Sequence, residues 1–144
     1  MTGPYLLDVN LLLALTDPMH LHHDIAHDWF GRIGQGAWAT SPITENGFVR
    51  VASNPAYPNR PGDVSVVLGI LRDLCATPGH HFWPDAVSVR DLLAPNLILS
   101  HSQITDVYLL GQAVHHGGKL ATLDRHLPVH AIRHGQSALE LIEA

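Results

Sequence analysis

The chain has 144 residues, with thirteen acidic side chains against eight Lys and Arg, a formal net charge of −5, and a single cysteine. This length suits one domain, which we expect to span residues 1–144. The acidic balance argues against a broad basic face for nucleic acid, and one cysteine excludes an internal disulfide. No apolar run approaches the roughly 18 residues of a membrane span, and no basic segment precedes the first apolar run. We therefore expect a cytoplasmic protein with no membrane contact and no signal peptide.

The first predicted elements surround a buried strand near the start of the chain. Tyr5–Val9 is mostly apolar without alternation, which is typical of a central parallel strand covered on both faces. Asn10 is expected to cap a short buried helix over Leu11–Thr16, which Asp17-Pro18 ends. Asp8 would then lie at the carboxyl end of the strand, where ligands bind in open α/β sheets.

Helices and strands alternate along the rest of the chain. Helices are predicted at His22–Ile33, at Pro42–Ser53 after the cap Ser41, at Asp63–Ala76, from the cap Ser88 to Leu93, and from the cap Ser102 to Gly117. Strands are predicted at Ala37–Thr40, His81–Trp83, Lys119–Leu123 and Val129–Arg133, followed by a terminal helical turn at Leu139–Ile142. The alternation predicts an α/β fold with a central, mostly parallel sheet of four to five strands and helices on both faces.

Four acidic residues are expected at one edge of this sheet. Asp8 and Asp124 each end a predicted strand, whereas Glu45 and Asp106 lie in the opening turns of predicted helices. Helices that follow strands begin at the carboxyl ends of those strands, so all four side chains should project toward the same edge. Each acid also has an ordinary explanation, as a cap, a turn residue or a solvated acid favoured by the helix dipole.

Crowded carboxylates need a neutralising partner. At about 4 Å and an effective dielectric near 20, each like-charge pair costs roughly 4 kcal/mol. The whole domain has only about 5–15 kcal/mol of stability. Protons, basic side chains or metal ions could relieve the repulsion, and carboxylate oxygens suit the hard ions Mg²⁺ and Mn²⁺.

Four segments carry a resemblance to a known family. Leu6–Asn10, Ile43–Arg50, Thr105-Asp106 and Ala121–Arg125 resemble the acidic motifs of the PIN domain, in the same order. More narrowly, the chain is similar to the VapC toxins of type II toxin–antitoxin systems, and His20–Phe30 resembles the second helix of many such toxins. The resemblance implies a three-layer PIN-like domain.

The resemblance also implies an activity and a set of site residues. The implied activity is that of a metal-dependent endoribonuclease, in which a metal-activated water cleaves a phosphodiester of structured RNA. One or two Mg²⁺ or Mn²⁺ ions would be held by Asp8, Glu45, Asp106 and Asp124. Polar neighbours placed to orient a carboxylate or a water are Asn10, Thr44, Thr105 and Thr122. The implied partners are a cognate VapB-type antitoxin and a second copy of the chain.

Three arginines are candidate contacts for the RNA backbone. Arg125 directly follows Asp124 and is the strongest of them, with Arg50 and Arg133 as further candidates. The same side chains could instead be solvated, or could bind an acidic or C-terminal antitoxin segment that fills the site.

Other functions fit the sequence less well. A catalytically silent PIN-like scaffold that binds RNA or a partner protein would have no reason to keep four repelling acids. A haloacid-dehalogenase-like phosphatase needs a second aspartate two positions after the first, but position 10 is Asn. A receiver domain needs an adjacent acidic pair early in the chain, and none follows the first strand.

The histidines suggest zinc without a convincing ligand set. His23 and His27 lie four apart on a predicted helix, but no third ligand has suitable spacing. We expect packed or solvated histidines, and we expect Cys75 to be a small buried apolar residue. The aromatic residues expected in the core, rather than on a base-stacking surface, are Trp29, Phe30, Trp38 and Phe48.

Overall fold

Five short parallel strands form one sheet in the computed structural model, which describes residues 4–94 and 96–143. The strands are β1 Tyr5–Leu7, β2 Trp38–Thr40, β3 His80–Phe82, β4 Lys119–Thr122 and β5 Leu139–Leu141. Their order is β3-β2-β1-β4-β5, so β1 is central and pairs with β2 on one side and β4 on the other. All pairings are parallel, so the carboxyl ends of the strands share one edge.

Helices cover both faces of the sheet. They are α1 Val9–Thr16, α2 His23–Arg32, α3 Pro42–Ala52, α4 Val64–Cys75, α5 Val89–Leu92 and α6 Ile104–His115. Successive strand residues point to opposite faces. Leu7 accordingly packs with α1 to α4, whereas Leu6 packs with α6 and the segments around it. The predicted three-layer α/β fold is confirmed, and the predicted burial of Trp29, Trp38 and Phe48 is also correct.

Local capping explains where the helix that carries Glu45 begins. The Ser41 backbone N–H donates to Thr44 Oγ1 at 2.9 Å, and the Thr44 N–H donates to Ser41 Oγ at 3.4 Å. Pro42 occupies the first helical position, where its missing N–H costs nothing. This reciprocal cap confirms the start predicted from Ser41-Pro42.

Two predicted caps are wrong. Helix α1 begins at Val9, so Asp8 occupies the N-cap position and Asn10 is an exposed residue within the helix. Before α6, a 3₁₀ turn intervenes, and Ser100 rather than Ser102 forms the reciprocal bonds with Gln103. In both cases the chain begins to turn earlier than the apolar pattern indicates, because backbone bonds can form before the first inward-facing residue.

The predictions for the two C-terminal elements are wrong, because the predicted strand is a turn and the predicted helical turn is a strand. Val129–Ala131 forms a 3₁₀ turn and not a strand, and Ile132 is buried against α6. His134 has φ of 65°, and Gly135 N–H bonds to Ile132 O, so the backbone turns instead of extending. Leu139–Leu141, predicted as a helical turn, is the edge strand beside β4.

The remaining element bounds differ from the predicted ones by a few residues at most, and β3 lies one position earlier than expected. Along the described residues, we find no helix with the length and apolar character needed to cross a bilayer. The predicted domain range of 1–144 includes Met1–Gly3, Pro95 and Ala144, which lie outside the described residues.

Candidate active site at the carboxyl edge of the sheet

Asp8 is a buried acid at the centre of the site. It follows β1 directly, its relative exposure is 4%, and its Oδ2 accepts a 2.7 Å hydrogen bond from Thr122 Oγ1. Thr122 is the last residue of β4, so the bond joins the ends of two adjacent strands. Burial raises the pKa of Asp8, and the negative charge of Asp124 raises it further, against the opposing effect of the Thr122 bond.

Asp106 and Asp124 complete a group of three aspartates. Asp106 lies in the first turn of α6, and Asp124 follows β4 with its backbone N–H bonded to Thr122 Oγ1 at 3.0 Å. Burial, then the charge of Asp8, then that of Asp124 raise the pKa of Asp106 to about 6. The structure therefore places these three carboxylates close enough to repel one another.

Glu45 lies apart from the three aspartates. Its Oε2 accepts a 2.6 Å hydrogen bond from Oγ1 of Thr40, the last residue of β2. Burial raises the pKa of the Cys75 thiol, and the negative charge of Glu45 raises it further. Glu45 is not among the groups that raise the pKa values of Asp8 and Asp106. Glu45 thus projects from the same sheet edge, on the β2 side of the central strand.

The oxygens of the aspartates are more widely spaced than the ligand atoms around Glu45. Among residues 4–94 and 96–143, three potential ligand atoms meet within 4.8 Å of one another only at Glu45, Cys75 and His80. Cys75 is half-buried, whereas the sequence predicted a buried residue. The zinc interpretation based on spacing considered His23 and His27, which are four residues apart on one helix, and missed this group because its members are far apart in the chain.

A divalent ion fits the three aspartates on electrostatic grounds. Within the described part of the chain, the one salt bridge joins Arg32 to Asp28 at the surface. Among the described residues, no lysine or arginine forms an ion pair with Asp8, Asp106 or Asp124. A buried carboxylate such as that of Asp8 is costly without a cationic partner, and a set of three carboxylates offers the oxygen ligands that Mg²⁺ and Mn²⁺ prefer.

The predicted polar neighbours differ in what they contact. Thr122 bonds to Asp8, but Thr44 is used to cap α3, and Asn10 and Thr105 are exposed. Thr40 makes the same kind of bond to Glu45 that Thr122 makes to Asp8, and the sequence interpretation missed it. The available signal was a threonine as the last residue of a predicted strand.

The three candidate arginines are all exposed. Arg125 follows Asp124 and lies nearest the aspartates in sequence. Arg50 lines a cleft of about 650 Å³ between α3 and α4, which also includes Glu45. Arg133 lies beyond the 3₁₀ turn that replaces the predicted last strand. The structure leaves each side chain available to an external anion.

Comparisons with known proteins agree with this architecture. The family model described as the PIN domain matches residues 5–132. Three similar proteins, all from Mycobacterium tuberculosis, are Ribonuclease VapC44, VapC38 and VapC39. VapC44 is 42% identical over 130 residues, which cover 88% of this chain and 90% of VapC44. VapC38 is 38% identical over a match that covers 95% of this chain and 96% of VapC38. VapC39 is 38% identical over a match that covers 83% of this chain and 87% of VapC39.

The chain belongs to the PIN domain family. The resemblance predicted from the four acidic segments is confirmed, and its narrower form agrees with relatives that are named ribonucleases of the VapC type.

Proposed function

We propose that the chain is a metal-dependent endoribonuclease that acts as the toxin of a VapBC-type toxin–antitoxin pair. The family and the names of the relatives support this function. The observation that carries it is the convergence of Asp8, Asp106 and Asp124 at the carboxyl edge of the sheet, where burial and their charges raise the pKa values of Asp8 and Asp106. The proposed protein is a single domain over residues 1–144, cytoplasmic and homodimeric, and inhibited by a cognate VapB-type antitoxin.

The proposed site residues are the four acids. Asp8, Asp106 and Asp124 would hold Mg²⁺ or Mn²⁺, as one or two ions, and Glu45 would contribute from the β2 side. A bound ion would supply positive charge for the phosphodiester and would lower the pKa of an attacking water. Thr122 holds the Asp8 carboxylate in one orientation. Asn10, Thr44 and Thr105 have weaker support because none of them bonds to an acid.

The proposed substrate is a phosphodiester of structured RNA. Arg125 is exposed beside Asp124, where its guanidinium would contact a phosphate next to the cleaved bond. Arg50 would extend the contact along the cleft beside Glu45, and Arg133 would bind farther from the acids. An acidic antitoxin segment would use the same arginines and so compete with RNA.

A cleavage assay with matched variants tests the proposal. Purified chain is incubated with structured RNA and either Mg²⁺, Mn²⁺ or EDTA. The expected result is metal-dependent cleavage that D8N and D106N abolish. D73N is the control, because Asp73 is an exposed acid on α4 that belongs to none of the proposed sites.

Two outcomes would count against the enzyme. Equal cleavage by wild type and D8N would show that a contaminating nuclease does the cutting. Absence of cleavage together with calorimetric Mn²⁺ binding that does not depend on Asp8 or Asp106 would favour a catalytically silent scaffold that binds RNA or a partner protein.

A further inference from the structure

Glu45, Cys75 and His80 converge from three different elements. They come from α3, the last residue of α4 and the first residue of β3. One ligand atom from each lies within 4.8 Å of the other two, and all three residues are half-buried. Thr40 Oγ1 lies among them, at 2.6 Å from Glu45 Oε2 and 2.8 Å from His80 Nε2.

The donor types of this group differ from those of the aspartates. A thiolate, an imidazole nitrogen and a carboxylate oxygen are the ligands that Zn²⁺ prefers, whereas Mg²⁺ avoids sulfur. Bond lengths of about 2.0–2.3 Å in a tetrahedral zinc site put the ligand atoms roughly 3.5 Å apart. The three donors already lie within 4.8 Å of one another, so small side-chain rotations would bring them to the spacing of zinc ligands. Three protein ligands leave one position of the tetrahedron open.

The histidine pair that sequence spacing singled out lacks these features. His23 and His27 lie with their ring centroids 5.4 Å apart, but His23 Nδ1 is 2.7 Å from the carbonyl oxygen of Ala14. Neither residue belongs to a group of three converging donors within the described ranges. The pair therefore serves as an internal comparison for any metal-binding measurement.

We propose that Glu45, Cys75 and His80 form a second metal site, for a zinc-class divalent cation, that withdraws Glu45 from the proposed nuclease centre. The binding part of the proposal is independent of the nuclease. The inhibitory part rests on the proposed function, since an ion bound to Glu45, Cys75 and His80 holds the Glu45 carboxylate on the β2 side of the site.

Cobalt spectroscopy of the full chain tests the binding. Cys75 is the one cysteine of the sequence, so a near-ultraviolet thiolate-to-cobalt charge-transfer band can arise only from it. We expect one Co²⁺ per chain to produce this band, Zn²⁺ to remove it, and Mg²⁺ to leave it unchanged. C75S should lose the band, and H80Q and E45Q should weaken Co²⁺ binding roughly tenfold or more. H23Q, the matched control, should bind as wild type does.

The proposal is overturned if wild type gives no charge-transfer band, or if H80Q and E45Q bind Co²⁺ as tightly as wild type. In RNA cleavage at fixed Mg²⁺, Zn²⁺ should inhibit wild type and H23Q but not C75S. Inhibition that persists in C75S would remove the inhibitory part. A cobalt band without cleavage under any condition would instead reject the proposed nuclease and leave the metal site standing.

Discussion

Thr122 Oγ1 donates a 2.7 Å hydrogen bond to Asp8 Oδ2, although the two residues are 114 positions apart in the chain. Thr40 repeats this relationship with Glu45 at the end of the strand on the other side of β1. Threonine suits strands because it is β-branched. As the last residue of a strand, it also directs a hydroxyl toward the edge where the acids lie. Two of the four proposed acids are thus positioned by strand-terminal hydroxyls.

Removing the Thr122 hydroxyl should impair both stability and cleavage. T122V keeps the shape of the side chain but breaks its bonds to Asp8 and to the Asp124 backbone. We expect a loss of about 1.5–3 kcal/mol in the free energy of unfolding. We also expect cleavage to fall roughly 10–100-fold. Urea denaturation and RNA cleavage rates measure the two effects, and T122S should retain most of both. Equal losses in T122S and T122V would show that the hydroxyl is not responsible.

Stability without metal should fall as the pH rises through the titration of Asp106. The pKa of Asp106 rises from the ordinary 3.8 to about 6 on folding, so the folded chain binds this proton more tightly than the unfolded chain. The resulting stabilisation is fully present below about pH 4 and is lost as the pH rises through about 6. Asp8 shifts in the same direction. Urea denaturation in EDTA at a series of pH values should show this decline, with a smaller slope for D106N. A slope unchanged in D106N would contradict the assignment.

Mn²⁺ should stabilise the fold at neutral pH and much less in acid. Asp106, with a pKa of about 6, is ionised above about pH 7, and a bound cation relieves its repulsion from the neighbouring aspartates. At a hundred times its dissociation constant a ligand adds about 2.7 kcal/mol. That free energy corresponds to a rise in Tm of roughly 5–10 °C for a chain of this size. Thermal unfolding of wild type, D106N and the control D73N measures it. A rise in D106N equal to that of wild type would place the ion elsewhere.

Arg125 should bind RNA through its charge. R125A is expected to weaken RNA binding and to reduce the slope of log affinity against log salt by about 0.7–0.9, the range for one phosphate contact to single- or double-stranded nucleic acid. Filter binding in Ca²⁺ or EDTA over a range of salt concentrations measures the slope. R72A, which removes an exposed arginine of α4, should bind RNA as wild type does. An unchanged slope in R125A would exclude a phosphate contact at this position.

The hydrogen bond from Tyr57 to the buried carboxylate of Asp17 should contribute to the stability of the fold. Tyr57 Oη donates to Asp17 Oδ2 at 2.6 Å, which fixes the loop after α3 to the end of α1. Y57F is expected to cost about 1.5–3 kcal/mol, because the lost bond is to a charged group. The comparison variant is Y108F. It removes the Tyr108 hydroxyl, which donates to the Val87 carbonyl, and should lower the free energy of unfolding by about 0.5–1.5 kcal/mol. Urea denaturation would contradict this ranking if both variants lost the same stability.

Local chemistry made much of the fold predictable. The reciprocal cap at Ser41 uses atoms only three residues apart, so the start of α3 depends on the immediate sequence. The alternation of apolar strands with amphipathic helices was likewise sufficient for a parallel sheet with its acids at one edge. By contrast, Val129–Arg133 and Leu139–Ile142 are both short and partly apolar, and only the neighbouring strand β4 distinguishes them. Leu139–Leu141 pairs with that strand, whereas Val129–Ala131 turns.

The sequence by itself determined the α/β class, the strand-end positions of Asp8 and Asp124 and the family resemblance, because each depends on residue type and order over short distances. Only the tertiary structure grouped Asp8 with Asp106 and Asp124, and set Glu45 beside Cys75 and His80. Charges and ligand atoms interact through space and over a few ångströms. Which of them meet is therefore decided by strand order and helix packing, which spacing along the chain does not specify.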